Sequence, residues 1–173
     1  MKDFLQLAND RYSVRSFAER EVEQEKIDKI INAGMKAPTA VNYQPFKIWV
    51  VKSEQARSAI CSCTKFDFSK GAPVIFVVGA NPAQAWVRKY DNKNFADIDA
   101  AIAATQMMLE VHDLGLGTTW IGHFDEGAVK EKFPQMRDYN LIALFPVGYI
   151  AGDCVPSKMH YASKEISELV KEL

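Results

Sequence analysis

The run APVIFVVGA, residues 72–80, constrains this chain more than any other stretch. Nine residues carry no charge and only small or apolar side chains. A strand of that composition has no face for water, so it must be covered on both sides. Two further segments set out the rest of the core. FKIWVV at 46–51 is rich in β-branched and aromatic residues and reads as a strand. LIALFPVGYI at 141–150 is another apolar strand, and its Pro146 predicts an edge or a strand end at that point.

The helical periodicities fall between these strands. DFLQLAND is a short first helix by the spacing of Phe4, Leu5 and Ala8. Residues 25–33 repeat apolar side chains at Ile27, Ile30 and Ile31, with Gly34 as the expected stop. SEQARSAICSC at 53–63 and DEGAVKEKF at 125–133 read as further helices. DIDAAIAATQMMLEVHDLGLG is the most apolar helix: between Ile98 and Val111 only Asp99, Thr105, Gln106 and Glu110 are polar. It is a central core helix or packs against a partner subunit, and Gly115 or Gly117 ends it. TTWIG reads as a short strand, and residues 81–96 as a connection with interspersed aromatics. KEISELVKEL carries Ile166, Leu169, Val170 and Leu173 at i, i+3, i+4 and i+7, the pattern of an amphipathic helix. The 173 residues, without repeats or an internal linker, read as one α+β domain spanning 1–173.

Charge and composition exclude several functions. The chain has 21 basic and 22 acidic residues, a formal net charge of −1, so no basic excess points to nucleic acid. MKDFLQLANDR is mixed in charge and does not read as a leader, and no run is long and apolar enough for a membrane span. Cys61, Cys63 and Cys154 form an odd set, read as reduced thiols of a cytoplasmic protein. A lone Cys-x-Cys and three scattered histidines, His112, His123 and His160, give no metal site.

Three constellations carry candidate chemistry. In RYSVRSF, an extended backbone puts Arg11, Ser13 and Arg15 on one side and leaves Tyr12, Val14 and Phe17 to anchor the segment elsewhere. Two guanidiniums and a hydroxyl match the oxygens of a phosphate monoester; the spacing equally fits two solvated surface arginines. In APTAVNYQP, the prolines stiffen a loop whose Thr39, Asn42 and Gln44 either read the edge of a planar heterocycle or cap the loop itself. GLGTTWIG is not a dinucleotide fingerprint, because its glycines fall at 115, 117 and 122 and lead from a helix into a strand. Gly122 still allows backbone to approach a ligand closely. PSKMHY adds Lys158 and His160, which are surface charge or further cationic help for a phosphate.

Taken in order, RYSVRSF, APTAVNYQPFKIWVV, APVIFVVG, DIDAAIAATQMMLEVHDLGLGTTWIG and PVGY resemble the nitroreductase family of FMN-dependent oxidoreductases over nearly the whole chain. The resemblance implies a three-layer α/β/α fold with a mostly antiparallel sheet, in an intertwined homodimer with two FMN sites at the subunit interface. It implies phosphate and ribityl contacts from Arg11, Ser13 and Arg15. Pro38, Thr39, Ala40 and Asn42 would pack on the FMN of the partner, with Gln44 closing the motif. Ile121 and Gly122 fall where a backbone amide approaches flavin N5. Lys158 and His160 stand where the family often has K-x-R near the phosphate. No side chain is implied as a catalytic acid or base. The implied reaction is ping-pong hydride transfer from NADH or NADPH, through FMN, to a quinone or nitroaromatic acceptor. A flavin store or sensor, an ene-reductase or dehalogenase, and a flavin-free thiol protein using Cys61 and Cys63 are the competing readings. Residues 81–96 either cover the substrate side or simply connect two elements.

Overall fold

The structure, a computed structural model, describes residues 3–173. Met1 and Lys2, part of the stretch read above as not a leader, lie outside them. Helices α1 (Phe4–Asp10) and α2 (Gln24–Met35) precede strand β1 (Phe46–Val51), helix α3 (Glu54–Cys61) and strand β2 (Val74–Ala80). A small hairpin, β3 (Val87–Arg88) and β4 (Lys93–Asn94), leads into α4 (Ala96–Asp113). Then follow β5 (Gly117–Thr118), α5 (Glu126–Lys132), β6 (Asn140–Gly148) and the short α6 (Ile166–Leu169).

The main sheet is antiparallel in the order β1-β2-β6-β5. All seven residues of β2 are buried, as its composition demands. The pleat divides them: Val74, Phe76, Val78 and Ala80 face α2 and α4, and Ile75 and Val77 face α3 and α5. The first face packs on Ile27, Ile30, Ala100, Ala104 and Met107; the second packs on Ile60, Cys61, Val129 and Met136. This is the three-layer α/β/α arrangement. A bulge in β6, where Val78 pairs with Ala143 but Gly79 with Leu141, resets the alternation so that Leu141 and Leu144 both face the α3/α5 layer.

Four expectations need correction. Gly34 does not stop α2; it lies inside the helix because α4 comes so close that a Cβ there would sit 2.8 Å from Met107 Cγ. Pro146 lies in β6, a strand flanked on both sides, rather than at an edge. It is tolerated where the β5 side of the ladder is interrupted, between the Ile121–Leu144 bridge and the Thr118–Val147 pair. TTWIG is strand only at Thr118, with Ile121 forming an isolated bridge. The predicted C-terminal helix shrinks to Ile166–Leu169, with Ile166, Leu169, Val170 and Leu173 all exposed. Nothing among the described residues covers that apolar stripe, and short helices without packing are marginal. Residues 81–96 are more ordered than a plain connection: Trp86 and Phe95 stack edge to face at 4.9 Å across the β3-β4 hairpin.

Candidate functional site

The segment 11–17 is extended and laid beside the end of the sheet. Val14 N–H donates to Thr118 O at 3.0 Å, Ser13 bridges Thr118, and Phe17 bridges Ile150. Val14, 2% exposed, is the wedge that fixes this strip: a Cβ on Gly117 would lie 2.7 Å from Val14 Cγ1, so only glycine admits it. With Val14 pointing inward, its neighbours point out. Arg11, Ser13 and Arg15 line one cavity of about 290 Å³ together with Tyr12, Ser157, Met159 and His160.

Tyr12 does more than the alternation predicts. Its hydroxyl does anchor the segment, donating to Cys154 O at 3.2 Å, yet its ring also lines the cavity, edge-on to His160 at 6.1 Å. Burial pushes the Tyr12 phenol above its ordinary value, helped by the nearby Cys154 thiol, so it remains a protonated donor. Arg15 Nη1 donates to Ser13 O at 3.3 Å, which turns its guanidinium back along the strip. Neither Arg11 nor Arg15 is paired with a carboxylate among the described residues, and no acidic side chain lines the cavity. Guanidiniums left without carboxylates around a small polar cavity form a donor set for a phosphate dianion. Lys158 itself is exposed and does not line the cavity; its neighbours Ser157, Met159 and His160 do.

Four residues of chain, at most ~14 Å when extended, separate Thr118 from Gly122. Ile121 is locked by paired backbone bonds with Leu144 at 3.0 Å, and the exposed Gly122 follows at once. A Cβ there would come no closer than 3.7 Å to Trp120 Nε1 and 3.9 Å to its Cδ1, so the space beside Gly122 is open. Beyond it lies a cleft of about 520 Å³ lined by Ser62, Cys63, Thr64, Lys65, His123, Phe124, Asp125 and Ala128. Thr64 Oγ1 donates to His123 O at 3.2 Å and Asp125 N–H to Cys63 O at 2.8 Å, lacing the two loops that form it. Thr64 and Lys65 carried no periodic or motif signal and were not predicted as site residues. Burial pushes the Cys63 thiol above its ordinary value, and its S–H donates to Ala59 O at 3.3 Å.

Pro38, Thr39, Ala40 and Asn42 lie elsewhere. Their loop is left-handed at Val41 (φ 47°), Asn42 (φ 56°) and Gln44 (φ 50°) and is tied by Ala40 N–H to Asp99 Oδ1 at 2.9 Å, at the start of α4. The cavity lined by Arg11, Ser13 and Arg15 adjoins β5, beyond the other end of that helix. Along α4 the separation is about 20 Å at 1.5 Å per residue. One chain therefore presents two separated parts of the predicted site.

The chain is thus a three-layer α/β/α protein with a cationic strip at one end of its sheet. The Nitroreductase family matches residues 8–64 and 60–149, and the chain belongs to that family. A relative from Methanothermobacter thermautotrophicus, provisionally named NADH dehydrogenase/NAD(P)H nitroreductase, is 30% identical over 155 residues, 86% of this chain and 78% of the relative. The crystal structure of a nitroreductase family protein from Clostridium difficile 630 superposes with a TM-score of 0.89 at 28% identity, covering 98% of both chains. An FMN-dependent nitroreductase from Clostridium difficile R20291 gives a TM-score of 0.76 at 25% identity over 87% of this chain and 89% of that one.

Proposed function

We propose that this chain is an FMN-dependent oxidoreductase that moves reducing equivalents from NADH or NADPH to an electron-poor acceptor such as a quinone or nitroaromatic. The observation that carries the reading is the convergence of Arg11, Ser13 and Arg15, with Ser157 and His160, on one cavity free of carboxylates. Family membership and the FMN dependence of a 25%-identical neighbour support it.

The residues present fit FMN. Arg11, Ser13 and Arg15 would hold the phosphate, and the open backbone at Ile121–Gly122 would pass the ring system. Bound flavin supplies the hydride and electron chemistry; the protein supplies binding, orientation and electrostatics. Arg11 and Arg15 neutralise the dianion and fix the tail in two-point contact. Ser13 adds a hydroxyl donor, and Tyr12, held by Cys154 O, walls the cavity. The Gly122 N–H, engaged with no described acceptor, is free to donate to a ring nitrogen, where a fixed donor favours the build-up of negative charge. No described side chain is required as an acid or base. The cleft of Thr64, Lys65, His123 and Phe124 is the place for the pyrimidine edge or the acceptor.

The working unit in this reading is a homodimer. Phe4, Leu5, Ile102, Val155, Met159, Tyr161, Ile166, Leu169 and Leu173 are exposed apolar side chains that a second copy would cover. A second copy also brings its 38–44 loop to the cavity that this chain's own loop cannot reach.

Anaerobic titration tests the reaction. Adding NADH or NADPH to the FMN-loaded protein should bleach the flavin absorbance, and a quinone should restore it, with initial-rate lines that stay parallel as both substrates vary. Bound flavin that neither nucleotide reduces would overturn the proposal.

A further inference from the structure

Asp99 is the sole charged side chain among the described residues that is buried, at 2% exposure, and it sits on the core side of α4 among Ala96, Ala100, Ala103 and Met107. A carboxylate at such a position is expensive unless it is paired, and an alanine or leucine would pack there at lower cost. No described cation pairs with it. Its Oδ2 is sealed from solvent without a hydrogen-bond partner. Its Oδ1 makes one hydrogen bond, accepting from Ala40 N–H at 2.9 Å. The whole polar commitment of this side chain is therefore to one amide of the 39–44 loop.

That loop needs holding. Val41, Asn42 and Gln44 are all left-handed, and a β-branched residue such as valine is a true outlier there. Such backbone persists only where its surroundings over-determine it. Within the loop, Thr39 Oγ1 accepts from Gln44 N–H at 3.0 Å, Thr39 O from Asn42 N–H at 3.0 Å, and Ala40 O from Tyr43 N–H at 3.2 Å. These bonds close the turn on itself. Asp99 ties it to the core, while Val41 and Tyr43, 62% and 58% exposed, stand outward.

Resting on the function proposed above, we infer that Asp99 is a positioning residue. Its buried carboxylate holds the Ala40 N–H and so presets the left-handed turn that presents Asn42 and Gln44 to a flavin bound mainly by the second copy. It touches neither flavin nor substrate.

The test compares wild type, Asp99→Leu and Asp99→Asn. Backbone amide exchange is measured on FMN-free protein, and FMN affinity by flavin fluorescence. Leucine fills the space but leaves the Ala40 amide without an acceptor; asparagine keeps one. In Asp99→Leu the amides of Ala40, Asn42 and Tyr43 should exchange about tenfold faster while those of Val77 and Val78 hold. FMN should bind at least about fivefold more weakly, the scale of a lost buried acceptor. Asp99→Asn should stay within about twofold of wild type in both. Should Asp99→Leu not fold, Asp99→Ala makes the same comparison with a smaller side chain. Unchanged protection at Ala40, or an asparagine variant as impaired as leucine, would overturn the inference. A loosened loop with undiminished FMN affinity would overturn its link to the flavin. If wild-type protein bound no FMN, the proposed function would fail, and the exchange measurement alone would still decide whether Asp99 sets the loop.

Discussion

A Cβ built on Gly34 would lie 2.8 Å from Met107 Cγ, whereas one built on Gly122 meets nothing nearer than Trp120 Nε1 at 3.7 Å. The first glycine is explained by packing and the second is not. Gly122→Val should therefore leave urea stability within about 0.5 kcal/mol, as for an ordinary surface change. It should nonetheless weaken FMN binding measured by fluorescence, because the side chain fills the space a flavin ring needs; equal affinity would remove Gly122 from the site. At this scale the sequence made the convergence of Arg11, Ser13 and Arg15 legible, since the three alternate and one cavity gathers them all. It showed only one role of Tyr12, whose ring and hydroxyl serve different ends, one in the cavity and one at Cys154. It could not show Ser157, Met159, Thr64 or Lys65, because their roles come from contacts between distant segments and leave no local pattern.

The α2–α4 contact is the tightest helix pairing around the core, and Gly34 permits it. Gly34→Leu should destabilise the protein by about 1–3 kcal/mol in urea, the usual cost of overpacking, even though leucine is the better helix former. The start of α2 carries a second device. Glu23 accepts from Tyr149 O–H at 2.9 and 2.8 Å and from Arg20 at 2.8 Å, joining α2 to the residue after β6. Its carboxyl is held down to about 2, first by a backbone N–H and then by Tyr149 and Arg20. A depressed carboxylate stabilises the fold above its unfolded value and loses that contribution as pH falls, here from about 4.5 toward 2. The melting temperature should fall through that window, and Tyr149→Phe should flatten the fall; an identical pH profile would show that the Tyr149 bond contributes nothing. Elements defined by strong periodicity were legible, including β2 and the ends of α4 with Gly115 at φ 73°. Gly34 and Pro146 were misread because each carries a local breaker signal that tertiary contacts override: a close helix neighbour in one case, a gap in the ladder in the other.

The whole molecule leaves its last helix without support. The apolar spacing of Ile166, Leu169, Val170 and Leu173 is real in the sequence, yet the described residues leave all four exposed. A sequence records that a face wants cover without recording which chain supplies it. In solution the protein should run at twice the chain mass by light scattering, and removal of residues 163–173 should shift it toward the single chain and lower its affinity for FMN. A full-length monomer with intact FMN binding would remove the partner from the site. The proposed function rests most heavily on a phosphate being held by Arg11, Ser13 and Arg15. Its most direct test compares the affinities of FMN and riboflavin, which differ by the phosphate alone, in wild type and in the Arg11→Ala/Arg15→Ala variant. The wild type should favour FMN by at least about a hundredfold, two charge-assisted contacts at about 1.5–3 kcal/mol each, and the double variant should lose most of that preference while still binding both weakly. Equal preference for FMN in the two proteins would contradict the account.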